Sequence, residues 1–266
     1  MNISGKVFVV TGAGNGIGRV VTQLLLENGA AVAGVDLNSD GLAKTAGIVE
    51  SGTRFSSHVV NITDREQVLA LPAAVLDAHG NIDGVVNIAG VIQKFVKIID
   101  LPFEEIEKVM NVNFWGTVNM VKAFLPVLVE RPEASIVNVA SMGAYAPVPG
   151  QVVYGASKAA VRLLTEGLYA ELLDTNVAVT SVFPGAISTD IASNSGVALA
   201  DEATADAPAF KMTTPAVAGQ AIVDAIRKGS FRVTIGSDAS AMDKLARFSP
   251  KMATRTIAKQ MRSLLG

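Results

Sequence analysis

The chain has 266 residues, half of them hydrophobic and 17% charged, and its 22 Lys and Arg against 24 Asp and Glu give a formal net charge of -2. The lack of cysteine excludes disulfides, thiolate metal sites and cysteine nucleophiles and fits a reducing compartment, while the near-neutral balance argues against nucleic acid as the main partner. No apolar run approaches the roughly 18 residues of a membrane span, and Met1 to Lys6 leave no room for a signal peptide, so the expected location is cytoplasmic. Short Val- and Ile-rich runs at 7–10, 31–35, 55–60, 82–88, 135–139, 177–183 and 231–235 read as strands. Helical periodicity fills the intervals at 17–28, 41–50, 64–79, 102–130, 152–174 and 215–228. Pro102 followed by Glu104 and Glu105 suits a helix start. Strand runs without polar alternation, separated by helices, predict a single-domain doubly wound α/β fold: a seven-stranded parallel sheet with helices on both faces. Residues 1–236 are expected to form this domain, with an irregular flap over about 188–214 and a basic helical tail at 237–266.

Thr11-Gly12-Ala13-Gly14-Asn15-Gly16-Ile17-Gly18 joins the first strand to the first helix. In that position it reads as a phosphate cradle, because glycines let the backbone approach a pyrophosphate and the helix start supplies unpaired N–H groups. Its spacing is T-G-x-x-x-G-x-G, which differs from G-x-G-x-x-G. Asp36 at the end of the second strand can accept hydrogen bonds from an adenosine ribose and repels a 2'-phosphate. Neither Asn15 nor Leu37 nor Asn38 adds positive charge, so NAD is the expected cofactor.

Tyr154 and Lys158 stand four apart at the start of a helix, on one face of it. An unassisted phenol of pKa about 10 is a poor base at pH 7, and an ammonium about 4 Å away in an effective dielectric near 20 is worth roughly three pKa units. Ser141 follows the fifth strand at the carboxyl edge, Asn87-Ile88-Ala89-Gly90 ends the fourth, Pro184-Gly185 ends the sixth, and Asn113 sits inside a helical stretch that does not favour asparagine.

In this order of motifs the chain resembles the short-chain dehydrogenase/reductase family from Gly5 to Gly236. The resemblance implies a Rossmann fold and a tetrad of Asn113, Ser141, Tyr154 and Lys158. Tyr154 would be the general acid/base and Ser141 would hydrogen-bond the substrate oxygen. Lys158 would depress the tyrosine pKa and bind the nicotinamide ribose, and the Asn113 carbonyl would hold a relay water. The family pattern further assigns the cofactor to Gly12, Asn15, Gly16, Ile17, Asp36, Leu37, Asn87, Ala89, Gly90 and Gly185, with adenine contacts near Asn61 and Ile62. Nicotinamide-side contacts fall to Pro184, Ile187 and Thr189. Asn61 departs from the usual aspartate, and Ile88 from the second Asn of N-N-A-G. The implied activity is hydride transfer between NAD and a lipophilic secondary alcohol or ketone. The alternatives are reduction of a 3-oxoacyl thioester or other activated ketone, and a non-catalytic dinucleotide sensor. A homo-oligomer, dimer or tetramer, is implied through helices 102–130 and 152–174.

His58 and His79 lack ligand-spaced partners and read as structural or solvated, with no metal site. Phe114 and Trp115 read as core or subunit packing, and Met142, Tyr145, Val148, Gln151, Gln93 and Phe95 as substrate-pocket lining. In the tail, Lys244, Arg247, Lys251, Arg255, Lys259 and Arg262 against Asp238 and Asp243 leave a charge of +4, and the remainder of the chain at -6. The cations recur every three or four residues, and Pro250 should split the helix. Two readings of the tail stand: an apolar side packed on the body or a neighbouring subunit, or reversible peripheral contact with an anionic membrane.

Overall fold

A computed structural model describes residues 1–49, 52–189, 191–195, 197 and 212–261. Seven strands, β1 (Val7–Thr11), β2 (Ala31–Asp36), β3 (Phe55–Val59), β4 (Gly84–Asn87), β5 (Ala134–Val139), β6 (Val177–Pro184) and β7 (Arg232–Ile235), form one sheet in the order β3-β2-β1-β4-β5-β6-β7. Every pairing is parallel. The order reverses between β1 and β4, which opens a crevice at the carboxyl ends of those strands.

Alternation along the strands explains the two helical layers. Val7 and Val9 join one core with Val68, Leu71 and Val75 of α3 (Arg65–His79) and with Met120 and Phe124 of α5 (Gly116–Leu128). Phe8 and Val10 point the other way, to Val21 and Leu25 of α1 (Gly16–Glu27), Leu42 of α2 (Ser39–Val49), and Ile222 and Ile226 of α8 (Pro215–Lys228). Successive strand side chains face opposite sides, so a strand covered on both must be apolar throughout. β1 is buried at all five positions.

The expected helix at 102–130 proves to be three pieces. α4 (Phe103–Met110) passes through a π-helical turn, Asn111–Trp115, into α5. The side-chain amide of Asn113 is the physical reason. It donates to the Val91 carbonyl at 2.9 Å and accepts the Val91 N–H at 2.8 Å, so the helix bulges toward the β4 loop. α6 (Val152–Glu171) runs as expected but ends three residues earlier.

Within the flap, Ile187 and Thr213 form a parallel bridge at its base, and α7 (Ile191–Asn194) is a single turn. Residues 198–211, most of the expected flap, lie outside the described residues. The tail forms α9 (Ser237–Phe248) and α10 (Pro250–Gln260), divided at Pro250 as its ring requires. Met242, Ala253 and Ile257 pack on Ala146, with Met142, Tyr145 and Val148 against the same cluster. The apolar side of the tail thus covers the loop after β5, as the first reading of the tail has it. Arg262 and the residues after it lie outside the described residues.

Candidate active site

A cleft of about 960 Å³ lies at the carboxyl edge of the sheet, where β1, β2, β4, β5 and β6 end. Its floor is the glycine turn. Gly12 (φ 72°) and Gly16 (φ 51°) take left-handed backbone that other residues resist, and a Cβ on Gly12 would stand 3.2 Å from Ala89 N. Thr11 fastens the turn to β4, its Oγ1 accepting the N–H groups of Ile88 and Ala89 at 3.0 and 3.1 Å. Asn15 caps α1 by accepting the Gly16 N–H.

At the far end Asp36 has two visible tasks. Its Oδ2 accepts the Gly14 N–H and its Oδ1 the Asn38 N–H, both at 2.9 Å. The guanidinium of Arg19 grips the same turn from the other side, bonding the Gly14 carbonyl and, at 3.0 Å, Thr45 Oγ1. Arg19 and Lys44 both line the cleft, and the sequence reading missed both. For Arg19 the signal was present, since one residue after Gly18 a long cation on α1 can turn back over the glycines.

The near end carries Ser141, Tyr154 and Lys158, all on the cleft wall. Ser141 Oγ accepts the Gly143 N–H at 3.1 Å. Tyr154 hydrogen-bonds Ser141, which pulls its pKa down, while burial pushes it up more strongly. Lys158 Nζ donates to the Val139 carbonyl at 3.0 Å, and burial lowers its pKa to about 8. One N–H of the Lys158 ammonium is thus fixed to the end of β5. A Cβ on Gly90 would lie 3.0 Å from Asn113 Oδ1 and 3.2 Å from Lys158 Nζ, so only glycine leaves this corner open.

Leu37, Asn61, Ile62, Ala89, Pro184, Gly185, Ile187 and Thr189 line the cleft, together with Ile17 and the turn residues above. Asn61 shapes its own loop, Oδ1 accepting the Thr63 N–H at 3.1 Å. Two expected residues do not line it. Asn87 sits in the sheet interior and donates to Asn138 Oδ1 at 2.8 Å, because it is still part of β4. Asn113 is fully buried behind the wall, where its carbonyl accepts the Thr117 hydroxyl at 2.8 Å.

Of the proposed pocket residues, Gln93, Phe95, Met142, Tyr145, Val148 and Gln151 all lie outside the cleft lining. Tyr145 donates to the Ala239 carbonyl at 2.9 Å and faces the tail, and Gln93 and Gln151 are buried in each other's loops. His58 and His79, read as structural or solvated, come together through one serine. Ser56 Oγ bonds both Nε2 atoms, at 2.8 and 2.7 Å, since Ser56 and His58 share one face of β3 and His79 ends α3 against it. No cluster of three or more metal-ligating residues occurs among the described residues.

The chain belongs to the short chain dehydrogenase family, whose model matches residues 6–199. A putative oxidoreductase SadH of Mycobacterium tuberculosis is 38% identical over 264 residues, covering 97% of this chain and 95% of that protein. The 3-oxoacyl-[acyl-carrier-protein] reductase FabG of Thermotoga maritima is 35% identical over 192 residues, covering 71% and 77%. Among solved structures, a short chain dehydrogenase/reductase of Burkholderia phymatum in complex with NAD superimposes with a TM-score of 0.85 at 25% identity, over 96% of this chain and 97% of that one. A short chain dehydrogenase of Burkholderia cenocepacia in complex with NADP gives 0.79 at 28% identity, over 98% and 99%. The protein is therefore an oxidoreductase of this family on a Rossmann-like sheet.

Proposed function

We propose that this oxidoreductase moves hydride between NAD(H) and a secondary alcohol or ketone of lipophilic character, with Asn113, Ser141, Tyr154 and Lys158 as its working residues. The observation that carries the reading is the shared wall of Ser141, Tyr154 and Lys158 in one cleft with the glycine turn and Asp36. The cradle fits a dinucleotide: glycine backbone lines the cleft at a capped helix start, and a carboxylate stands where the ribose end would lie. A nicotinamide dinucleotide bound there supplies or accepts the hydride. Tyr154 gives its hydroxyl proton to the substrate oxygen in reduction and takes it in oxidation. Ser141 Oγ accepts from Gly143 and shares its hydroxyl proton with the Tyr154 phenol, and it turns that proton to the substrate oxygen when substrate enters. Lys158 spends one N–H on Val139 and keeps two for a ribose hydroxyl.

Asp36 supports NAD over NADP, because its carboxylate at the ribose end repels a 2'-phosphate and Arg19 is committed to the turn itself. A second reading, reduction of a 3-oxoacyl thioester, draws on the likeness to the Thermotoga reductase. A panel of secondary alcohols, ketones and a 3-oxoacyl thioester, assayed by absorbance with each dinucleotide, tests both. Turnover with NAD and simple alcohols supports the first, and turnover confined to the thioester supports the second. Binding of NAD with no turnover on any member, unchanged by Tyr154→Phe, would identify a sensor.

A further inference from the structure

The start of α6 lacks a cap of its own. Gln151, immediately before the helix, makes no side-chain bond to the first turn, yet the N–H groups of that turn need acceptors once buried. They find one from far away in sequence. Gln93 Oε1 accepts the N–H of Val153 at 2.9 Å and that of Tyr154 at 3.0 Å, the second and third helical positions that a local Ser or Asp cap would serve. Gln93 Nε2 donates to the Gly150 carbonyl at 2.9 Å, and Gln151 Nε2 returns a bond to the Gln93 carbonyl at 2.6 Å. The Gln93 residue is 0% exposed, so none of these bonds competes with water.

Gln93 itself sits on a pinned segment. Two residues before it, Val91 is held at both N–H and C=O by the Asn113 amide, and Ile92 N–H donates to Ser195 Oγ at 3.0 Å. Gly90 of the same segment forms the corner of the cleft beside Lys158. The backbone of Tyr154 is thus referenced to the cleft wall opposite its own helix. We propose that Gln93 is a positioning residue for Tyr154: its carboxamide oxygen sets where the phenol stands relative to Ser141 and the cleft. The proposal rests on the assignment of Tyr154 as acid/base.

A residue that only fastened the fold would, when lost, lower the melting temperature and the fraction of active protein but leave turnover per intact site alone. A positioning residue changes turnover per site while cofactor affinity holds, because Gln93 bonds neither the glycine turn nor Asp36. The variants are Gln93→Met, which keeps the volume and loses the acceptor, Gln93→Asn, which is too short to reach, and Gln93→Glu, which keeps an acceptor oxygen. Sites are counted by NADH binding, and turnover is measured on the best substrate of the panel. The chain has three tyrosines, so labelling with tyrosine carrying carbon-13 at Cζ gives three NMR signals, of which Tyr154 is the one absent in Tyr154→Phe. Expected are a kcat per site at least tenfold lower in Gln93→Met and Gln93→Asn with an NADH Kd changed less than threefold, and a displaced Tyr154 signal. Gln93→Glu, held neutral by burial, accepts with its carbonyl oxygen and donates its O–H to Gly150, and should recover to within about threefold in kcat and restore the signal. If Gln93→Met does not fold, Gln93→Asn and Gln93→Glu carry the comparison. An unmoved Tyr154 signal with full kcat per site in a folded Gln93→Met or Gln93→Asn would overturn the positioning role. Undiminished turnover in Tyr154→Phe would instead overturn the catalytic assignment beneath it, and the two failures are read on different samples.

Discussion

At neutral pH the Tyr154 phenol is held protonated by burial, and the bond to Ser141 offsets only part of that. A group in that state is ready to donate and must be assisted to accept, which makes its hydroxyl the one indispensable atom of the proposed mechanism. Tyr154→Phe should lower kcat by about 10²- to 10⁴-fold and leave the NADH Kd nearly unchanged, measured by steady-state kinetics and fluorescence. Lys158 gives a second prediction at this scale, with a sign opposite to intuition. Its pKa is about 8 in the folded chain and 10.5 when unfolded. Below pH 8 both states hold the proton and the buried charge is a full cost; between pH 8 and 10.5 the unfolded chain keeps a proton that the folded one has shed, so stability rises with pH through that window. Lys158→Met should therefore lose activity yet gain stability at pH 7, by about 3 kcal/mol at most, with the gain shrinking toward pH 10. Equal urea midpoints for the two proteins at both pH values would refute the cost. Asp36 supplies the third. Because Oδ2 holds the Gly14 N–H, Asp36→Ala combined with Leu37→Arg should shift the kcat/KM ratio toward NADP while weakening both dinucleotides. Leu37 is 69% exposed, so the new guanidinium meets no packing obstacle.

Among the elements, the strands were legible because both faces of the sheet are covered: continuous Val- and Ile-rich runs leave no other reading, and all seven appear within two residues of expectation. The glycine turn was legible for the same kind of reason, since few other contexts demand so many glycines before a helix. The π turn at Asn111–Trp115 was not legible. It is caused by the hydrogen bonds of one amide to Val91, 22 residues away, and periodicity carries no record of such a partner. The cap of α6 by Gln93 is hidden in the same way, which is why Gln93 read as pocket lining. The His58–Ser56–His79 cluster is a third case, because β3 and the end of α3 meet only in the folded chain. Burial lowers both imidazole pKa values, and His79 lowers that of His58 further. Unfolded imidazoles titrate near 6.5, so below that pH the unfolded chain binds protons that the native cluster refuses, and stability falls with acidification. His58→Gln with His79→Gln should flatten the decline in melting temperature between pH 7 and pH 5. Identical slopes in the two proteins would remove the cluster from the acid response.

For the molecule as a whole, two surfaces matter. No helix among the described residues is long and apolar enough to cross a membrane. The tail is tied down by Arg232 to Asp243 at 2.6 Å and by the Asp238 carboxylate, which accepts the Ala186 N–H at 2.8 Å. We propose that residues 237–261 complete the body as a structural wall beside the loop after β5. Truncation at Ile235 would uncover Ala146 and Tyr145, so peripheral membrane contact is better tested with Lys251→Glu and Arg255→Glu, which change only exposed charge. The second surface is the outer side of α6, where Val152, Ala156, Leu163 and Gly167 follow one another at helical spacing, all exposed. Leu163 is 71% exposed, and Phe103 of α4 and Trp115 of the π turn are also open to solvent. We propose that this face joins two copies of the chain. In a two-fold contact the same patch meets itself, so a charge placed at its centre appears twice and faces its own copy. Burying two unpaired carboxylates costs several kcal/mol, which weakens a moderate interface by several powers of ten. Leu163→Glu should accordingly convert the oligomer to a smaller species by light scattering at micromolar concentration, with an unaltered NADH Kd because the cleft opens at the sheet edge and not on this face. A monomer mass for the unmodified chain at that concentration would show that the exposed apolar face of α6 has no copy of itself to cover it.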